Sequence, residues 1–107
     1  MSELFLLAVR AQKYELVAKI LKAGVVDVNF QDEVTGRAAI HEAALNLDCE
    51  MIALLASYQA ELDLRDALGF SAFNHVVDAY DEGEVGFFPV IDLLRSLDSD
   101  HRTNMKP

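Results

Sequence analysis

Apolar side chains recur along this chain at the three- and four-residue spacings of amphipathic helices. The first such segment begins at Ser2, a candidate cap, and breaks near residues 12–13. The second ends at Gly24, which suits a helix C-terminus because glycine adopts positive φ without a Cβ penalty. The apolar faces predicted for these two helices are formed by Leu4, Leu7, Ala8 and Ala11, and by Leu16, Val17, Ile20 and Leu21.

Four further helices follow from the same pattern. They are predicted near residues 38–46, 48–57, 71–80 and 89–98, with Asp48 and Ser71 as side-chain caps and Pro89 in an early helical position. The last helix carries Val90, Leu94 and Leu97, and residues 99–107 are predicted to be a polar, frayed tail.

A fixed interval organises these helices. Gly36 and Gly69 both open a glycine turn followed by a helix, and they lie 33 residues apart. A period of this length is typical of stacked repeats, in which each helix pair buries its apolar face against its neighbours. The chain of residues 1–107 is therefore predicted to be one domain of three repeats, at about 1–30, 31–63 and 64–98.

The central repeat, residues 36–66, resembles an ankyrin repeat, and the resemblance extends over about residues 4–98. Three departures stand out: Ala38 and Ala39 replace the usual Thr-Pro, Leu47 replaces the glycine between the helices, and Asp32 precedes Gly36 by four residues instead of three. The last departure predicts one extra residue in the first loop. The matching residues are Gly36, Ile40, His41, Ala43, Ala44, Glu50, Ile52, Leu54, Leu55, Ala60, Leu62 and Asp63.

The resemblance implies an all-α ankyrin-repeat solenoid of about three stacked helix pairs, joined by hairpin-like loops at about 27–37 and 61–70. Such a stack would form an elongated, slightly curved slab. In this family the histidine equivalent to His41 is structural, because its ring bonds the backbone of the neighbouring loop. The family has no chemistry of its own and binds other proteins through a concave surface.

The charge is unevenly distributed. The chain has a net charge of −9, but residues 1–24 carry +2, whereas residues 25–100 hold sixteen acidic residues against three arginines, a net charge of −13. This acidic part disfavours nucleic-acid binding, and it either keeps the protein in solution or attracts a basic partner. No apolar run approaches the length of a membrane span, and one cysteine with no secretory signal favours a cytoplasmic location, with delivery into another cell left open.

Candidate chemistry is weak. The chain has no phosphate-binding glycine motif and no hydrolase or zinc-protease motif, and Cys49 is best read as a small apolar residue. Glu42 and His75, with Asp78 nearby, predict a polar cluster or a poor metal site, since zinc requires three or four ligands. We therefore expect no enzymatic activity, no cofactor and no bound metal.

The resemblance implies a protein–protein interaction module, with a small adaptor as the first hypothesis. The runner-up is an acidic inhibitor or immunity protein that neutralises a basic toxin or enzyme. The oligomeric state is expected to be a monomer or a weak homodimer through the C-terminal stack end. For Phe70 two alternatives stay open, an exposed anchor or a ring folded back on the neighbouring hairpin. The residues implied for partner binding are Glu33, Val34, Arg37, Leu45, Asn46, Tyr58, Leu68, Phe70 and Asp78.

Overall fold

Six α-helices, joined by tight turns and two longer loops, form the chain in a computed structural model that describes the backbone of residues 1–105 and the side chains of residues 1–97. No strand occurs in residues 1–105, which confirms the all-α prediction. The helices are α1 (Ser2–Arg10), α2 (Tyr14–Ala23), α3 (Ala39–Leu45), α4 (Cys49–Ser57), α5 (Ala72–Ala79) and α6 (Phe87–Met105).

Local sequence signals determine several helix ends. The Asp48 carboxylate accepts the N–H of Met51 at 3.2 Å and so caps α4. Ser71 and Asn74 cap the start of α5 reciprocally, each side chain accepting the other residue's backbone N–H. Gly24 ends α2 with φ of 70°. These three predicted caps are confirmed, whereas Ser2 lies inside α1 and does not cap it.

Left-handed backbone positions recur at a constant interval. Gln12 and Leu47, with φ of 60° and 53°, connect the two helices of the first and second pairs and lie 35 residues apart. Gly24 and Gln59, with φ of 70° and 72°, follow the second helix of each pair and are separated by the same 35 residues. Because non-glycine residues rarely adopt this conformation, the recurrence indicates that the two pairs share one backbone plan.

The helices pack in a consistent order. α1 packs against α2 and α3, α3 packs against α4 and α5, and α6 packs across α4 and α5. One core runs through all of these contacts, and its largest fully buried side chains include Phe5, Ile40, Met51, Ile52 and Leu55. Around residues 38–44 the side chains are mostly alanine, which lets α3 approach the helices on both of its sides.

The overall dimensions, 36 × 34 × 26 Å, are those of a compact globule and not of the elongated slab expected from a solenoid. Packed helices lie about 8–10 Å apart, so three pairs side by side extend about 30 Å, close to the width of one pair. With so few pairs, a stack has little room to become longer than it is wide.

The buried face of α1 differs from the predicted one. Leu4 and Leu7 are 47% and 54% exposed, and the buried residues are Phe5, Leu6, Ala8 and Val9. Residues 4–9 are all apolar, so their periodicity does not select a face, and packing against both α2 and α3 decides it. In α2, Leu16 is also partly exposed at 39%.

The C-terminal helix covers the core. Val90 and Leu94 are 0% and 3% exposed, because α6 lies across α4 and α5, so these two residues do not offer the apolar surface predicted for a homodimer at the C-terminal stack end. Leu97 is half-buried. Most of the tail predicted at 99–107 falls within α6, which continues to Met105, and residues 106–107 lie outside the described part of the chain.

Two hairpin loops connect the helix pairs, hairpin 1 (residues 27–37) and hairpin 2 (residues 61–70). Hairpin 1 closes with the Asp32 N–H on the Arg37 carbonyl, and hairpin 2 with the Asp66 N–H on the Phe70 carbonyl, both at 3.0 Å. The Gly36 N–H reaches back four residues to Asp32, whereas the Gly69 N–H reaches back three to Asp66. The predicted extra residue of the first loop is therefore confirmed.

The two hairpins touch at Gly36. The Ala67 N–H donates to the Thr35 carbonyl at 3.0 Å, and a Cβ atom at Gly36 would lie 2.5 Å from the Ala67 nitrogen. The equivalent Gly69 has no atom within 4 Å of a Cβ. Both glycines have positive φ, at 71° and 82°, so backbone conformation favours glycine at both positions. The close approach of the other hairpin requires glycine only at position 36.

We expect Gly36→Ala to destabilise the fold more than Gly69→Ala. Each substitution should cost about 1–2 kcal/mol for the left-handed backbone, and Gly36→Ala should lose roughly a further 1–3 kcal/mol because the hairpins must move apart. Urea unfolding of both variants and the wild type measures the difference. Equal losses would contradict the contact between the hairpins.

Candidate interaction surface

The His41 ring joins α3 to hairpin 2. Its Nδ1 lies 2.9 Å from the Ala38 backbone nitrogen, and its Nε2 lies 2.8 Å from the Leu64 carbonyl oxygen and 3.1 Å from that of Phe70. A backbone N–H can only donate, so Nδ1 is the acceptor and Nε2 carries the proton. The neutral ring thus satisfies three backbone polar groups, one at the start of α3 and two in hairpin 2, as the resemblance implies for this position.

This geometry disfavours the charged form of His41. Burial lowers the pKa of the ring, and its hydrogen bonds to the Leu64 and Phe70 carbonyls oppose that shift only in part. A protonated Nδ1 would also point its hydrogen at the Ala38 N–H. His41 is therefore a neutral structural residue near pH 7 and not a general base.

Asp66 organises hairpin 2 and was not singled out from the sequence. One carboxylate oxygen accepts the backbone N–H groups of Leu68 and Phe70, each at 2.9 Å, and the other lies 2.5 Å from Nε2 of His75. Burial alone would raise the pKa of Asp66, but the hydrogen bonds from Phe70, His75 and Leu68 bring that pKa below its usual value. Asp66 thus binds the tip of hairpin 2 to α5.

Glu42 binds two arginines on the other side of α3. Its carboxylate accepts from Arg10 of α1 at 3.0 and 3.3 Å, and Arg37 Nε lies 3.4 Å from one of its oxygens. The Glu42 side chain is 6% exposed, so the paired charges hold α1, α3 and hairpin 1 together. Because Glu42 pairs with these arginines and His75 with Asp66, the polar cluster predicted for Glu42, His75 and Asp78 does not form.

Amide side chains link the hairpins to each other. The Gln31 side chain donates through Nε2 to the carbonyls of Gly36 at 2.9 Å and Arg65 at 2.8 Å. Asn29 Oδ1 accepts the backbone N–H of Glu61 at 2.9 Å. Backbone groups that a β-sheet would pair are here satisfied by side chains, which explains how the hairpins stay ordered without strands.

The residues predicted for partner binding fall into two groups. Glu33, Val34, Asn46, Tyr58, Leu68 and Asp78 are exposed, whereas Arg37, Leu45 and Phe70 are half-buried. Val34 and Leu68 are 85% and 77% exposed and lie near the tips of hairpins 1 and 2. Each of these two tips therefore leaves one apolar side chain in solvent.

Besides Arg37, three of these positions have a structural contact through a side chain or a carbonyl group. Phe70 packs edge-on against the His75 ring, with 5.1 Å between ring centroids, so it folds back on α5 and not on the neighbouring hairpin. The Leu45 carbonyl accepts the Tyr80 hydroxyl. The Asn46 side chain donates to the Arg10 carbonyl at 2.9 Å and ties α3 to α1.

Two depressions adjoin the predicted partner-binding residues and also expose apolar side chains that were not predicted. A depression of about 310 Å³ lies between α1 and hairpin 1, with Leu7, Phe30 and Val34 in its lining. A wider depression of about 530 Å³ lies between hairpin 2 and α5, where Leu68, Phe73 and Val77 meet. Helical periodicity assigns Leu7 and Val77 to a core, and only the position of the neighbouring helices shows that both are about half exposed.

Cys49 lies at the start of α4 and is half-buried. Burial raises the pKa of its thiol, reinforced by the neighbouring Asp48 carboxylate, so little thiolate is present near pH 7. Within residues 1–97 no three His, Cys, Asp or Glu side chains are grouped closely enough to hold a metal ion.

No known protein-family model matches this chain. Across the described residues, no helix has both the length and the hydropathy that a membrane span requires.

We expect His41→Gln to lower the free energy of unfolding by roughly 2–4 kcal/mol, because it disrupts three hydrogen-bonding contacts in a buried site. It should also change the pH dependence. Since the pKa of His41 is lowered in the folded state, the unfolded state binds a proton that the folded state does not, and wild-type stability should fall as pH drops below about 6.5.

Urea unfolding between pH 8 and pH 5 tests this expectation, and the variant should show a flatter profile than the wild type. Asp66 affects stability in a lower pH range. Because its pKa is lowered in the folded state, its carboxylate stabilises the fold above about pH 3.9, and this stabilisation is lost as the carboxylate is protonated. Identical pH profiles for wild type and variant would contradict the role of His41.

Proposed function

We propose that this chain is a short ankyrin-type repeat protein that binds a partner protein through the surface formed by its hairpin tips and the exposed side of its first helices. The recurrence of left-handed positions at 35-residue intervals supports the repeat. So does the His41 ring, which bonds the following loop as the resemblance implies. Nothing in this arrangement requires catalysis, and we propose a binding role without chemistry.

The observation that carries the proposal is the pair of apolar tips. Val34 and Leu68 are 85% and 77% exposed although their backbone N–H groups are held by the carboxylates of Asp32 and Asp66. An apolar side chain in solvent contributes little to stability, whereas on a preorganised loop it can be buried by a partner with little loss of conformational entropy.

The remaining surface residues fit the same role. Tyr58 is 36% exposed and offers an aromatic contact, and Glu33 and Asp78 offer charge at the rim. Arg37 and Phe70 contribute chiefly to holding hairpins 1 and 2 in position, since both are engaged with residues of the fold. Substituting Phe70 is therefore expected to reduce stability as well as binding.

Paired capture experiments test the proposed surface. Wild-type protein and the double variant Val34→Ser, Leu68→Ser are immobilised and exposed to an extract of the source organism, and bound proteins are quantified by mass spectrometry. A true partner should be retained by the wild type and reduced about tenfold or more by the double variant, because two apolar contacts of about 1 kcal/mol each are lost.

Val85→Ser provides the matched control. Val85 is 91% exposed but lies in the loop before α6, away from both hairpin tips, so this variant should retain the partner fully. All three proteins should have the same melting temperature within a few degrees. If every captured protein binds the double variant as well as it binds Val85→Ser, the proposed surface is wrong.

A second candidate function rests on the charge. We also propose, as the runner-up, an acidic inhibitor or immunity protein that neutralises a basic toxin or enzyme, because residues 25–100 carry a net charge of −13. Binding of this kind should weaken steeply between 50 mM and 500 mM salt, whereas apolar tip contacts should depend little on salt. Measuring the affinity of a captured partner at both salt concentrations separates the two functions.

A further inference from the structure

The edge formed by hairpin 2 and α5 resembles the internal contact surfaces between helix pairs, but no other part of the described chain covers it. Hairpin 1 is covered at Gly36, where a Cβ atom would lie 2.5 Å from the Ala67 nitrogen of hairpin 2. Gly69, 33 residues later, occupies the same place in hairpin 2, and no atom lies within 4 Å of its Cβ position. Within residues 1–105, no further hairpin covers this edge.

The helix beside it shows the same difference. At the 33-residue spacing, Ile40 and Ala44 of α3 correspond to Phe73 and Val77 of α5. Ile40 and Ala44 are 1% and 0% exposed, whereas Val77 is 52% exposed and Phe73 is only half-buried. We name Leu68, Gly69, Phe73 and Val77 the tail edge, and it borders the depression of about 530 Å³ described above.

The opposite end of the molecule is also open. At the 35-residue spacing of the first two pairs, Leu4 of α1 corresponds to Ala39 of α3. Ala39 is fully buried, whereas Leu4 is 47% exposed, because α1 has a first helix beside it only on the α3 side. We name the exposed side of α1 around Leu4 the head edge.

The two ends carry opposite charge. Residues 1–24, which contain α1 and α2, have a net charge of +2. Residues 66–97, which contain the tail edge and α6, hold six acidic residues and one arginine, a net charge of −5. The N-terminal segment of one molecule is therefore attracted to the C-terminal segment of another, whereas two C-terminal segments repel each other.

From these observations we propose that the partner of the tail edge is the head edge of a second copy of this chain. α1 of one molecule stacks beside α5 of the next, so that Leu4 is buried against Phe73 and Val77 and the series of helix pairs continues across the contact. Such a contact joins different surfaces of the two molecules, so it does not close on itself, and further copies can add at either end. Leu68 belongs both to this contact and to the partner-binding surface proposed above, so Leu4 and Val77, which are not among the proposed partner-binding residues, are the positions to vary.

Sedimentation velocity of the purified chain tests the assembly. The average mass of the wild type should rise with protein concentration from the micromolar to the millimolar range and pass beyond the dimer. Leu4→Glu and Val77→Glu should each remain monomeric, because each places a charge in one edge and weakens the contact by about a hundredfold or more. Added salt should shift the wild type toward monomer.

Mixing the two variants separates this arrangement from a symmetric dimer. The Leu4→Glu chain retains an intact tail edge, and the Val77→Glu chain retains an intact head edge. An equimolar mixture should therefore form a one-to-one dimer and stop there, although neither variant associates alone. If the wild type associates but the mixture stays monomeric, the contact is not head-to-tail and the proposal is overturned.

Two controls keep the result interpretable. Val85→Glu adds the same charge at a residue that is 91% exposed and outside both edges, and it should assemble like the wild type. Leu68→Glu, at a residue that is 77% exposed, provides a second tail-edge variant if Val77→Glu melts at a lower temperature than the wild type. A wild type that stays monomeric at millimolar concentration would also overturn the proposal.

Discussion

The fold depends on satisfying the backbone of two long loops without a β-sheet. Hairpins 1 and 2 contain no strand, and a few backbone–backbone hydrogen bonds are supplemented by side chains that supply further partners. His41 is central because its ring reaches the Ala38 N–H on one side and two carbonyls of hairpin 2 on the other. An unpaired buried backbone group costs about 1–3 kcal/mol, so these contacts decide whether the loops stay packed on the helices.

The same contacts explain why a small helical protein can display rigid loops. Asp66 fixes the tip of hairpin 2 through two backbone N–H groups and His75, and Glu42 fixes hairpin 1 through Arg37 while also pairing with Arg10. In both cases the anchoring carboxylate belongs to the buried part of the molecule. Order at the tips is therefore a consequence of buried polar contacts and does not require the tip side chains themselves.

Much of the architecture followed from the sequence, because helix periodicity and capping are local. The ends of α4 and α5 could be predicted from Asp48 and Ser71, whose side chains act within one helical turn. The buried face of α1 could not be predicted, since residues 4–9 are uniformly apolar. Asp66 was missed and Phe70 was left open for a related reason: their partner, His75, is brought close only when hairpin 2 folds against α5.

At the tip of each hairpin the backbone holds the loop while the side chain lies in solvent, and this affects which substitutions the protein can accept. Val34 and Leu68 enter the loop networks through their backbone N–H groups, which donate to Asp32 and Asp66. Any residue other than proline supplies that N–H, so the side chain at either position is free to be exchanged while the loop keeps its shape. The side chains at these two sites can thus vary over evolutionary time, or in a designed library, without disturbing the fold.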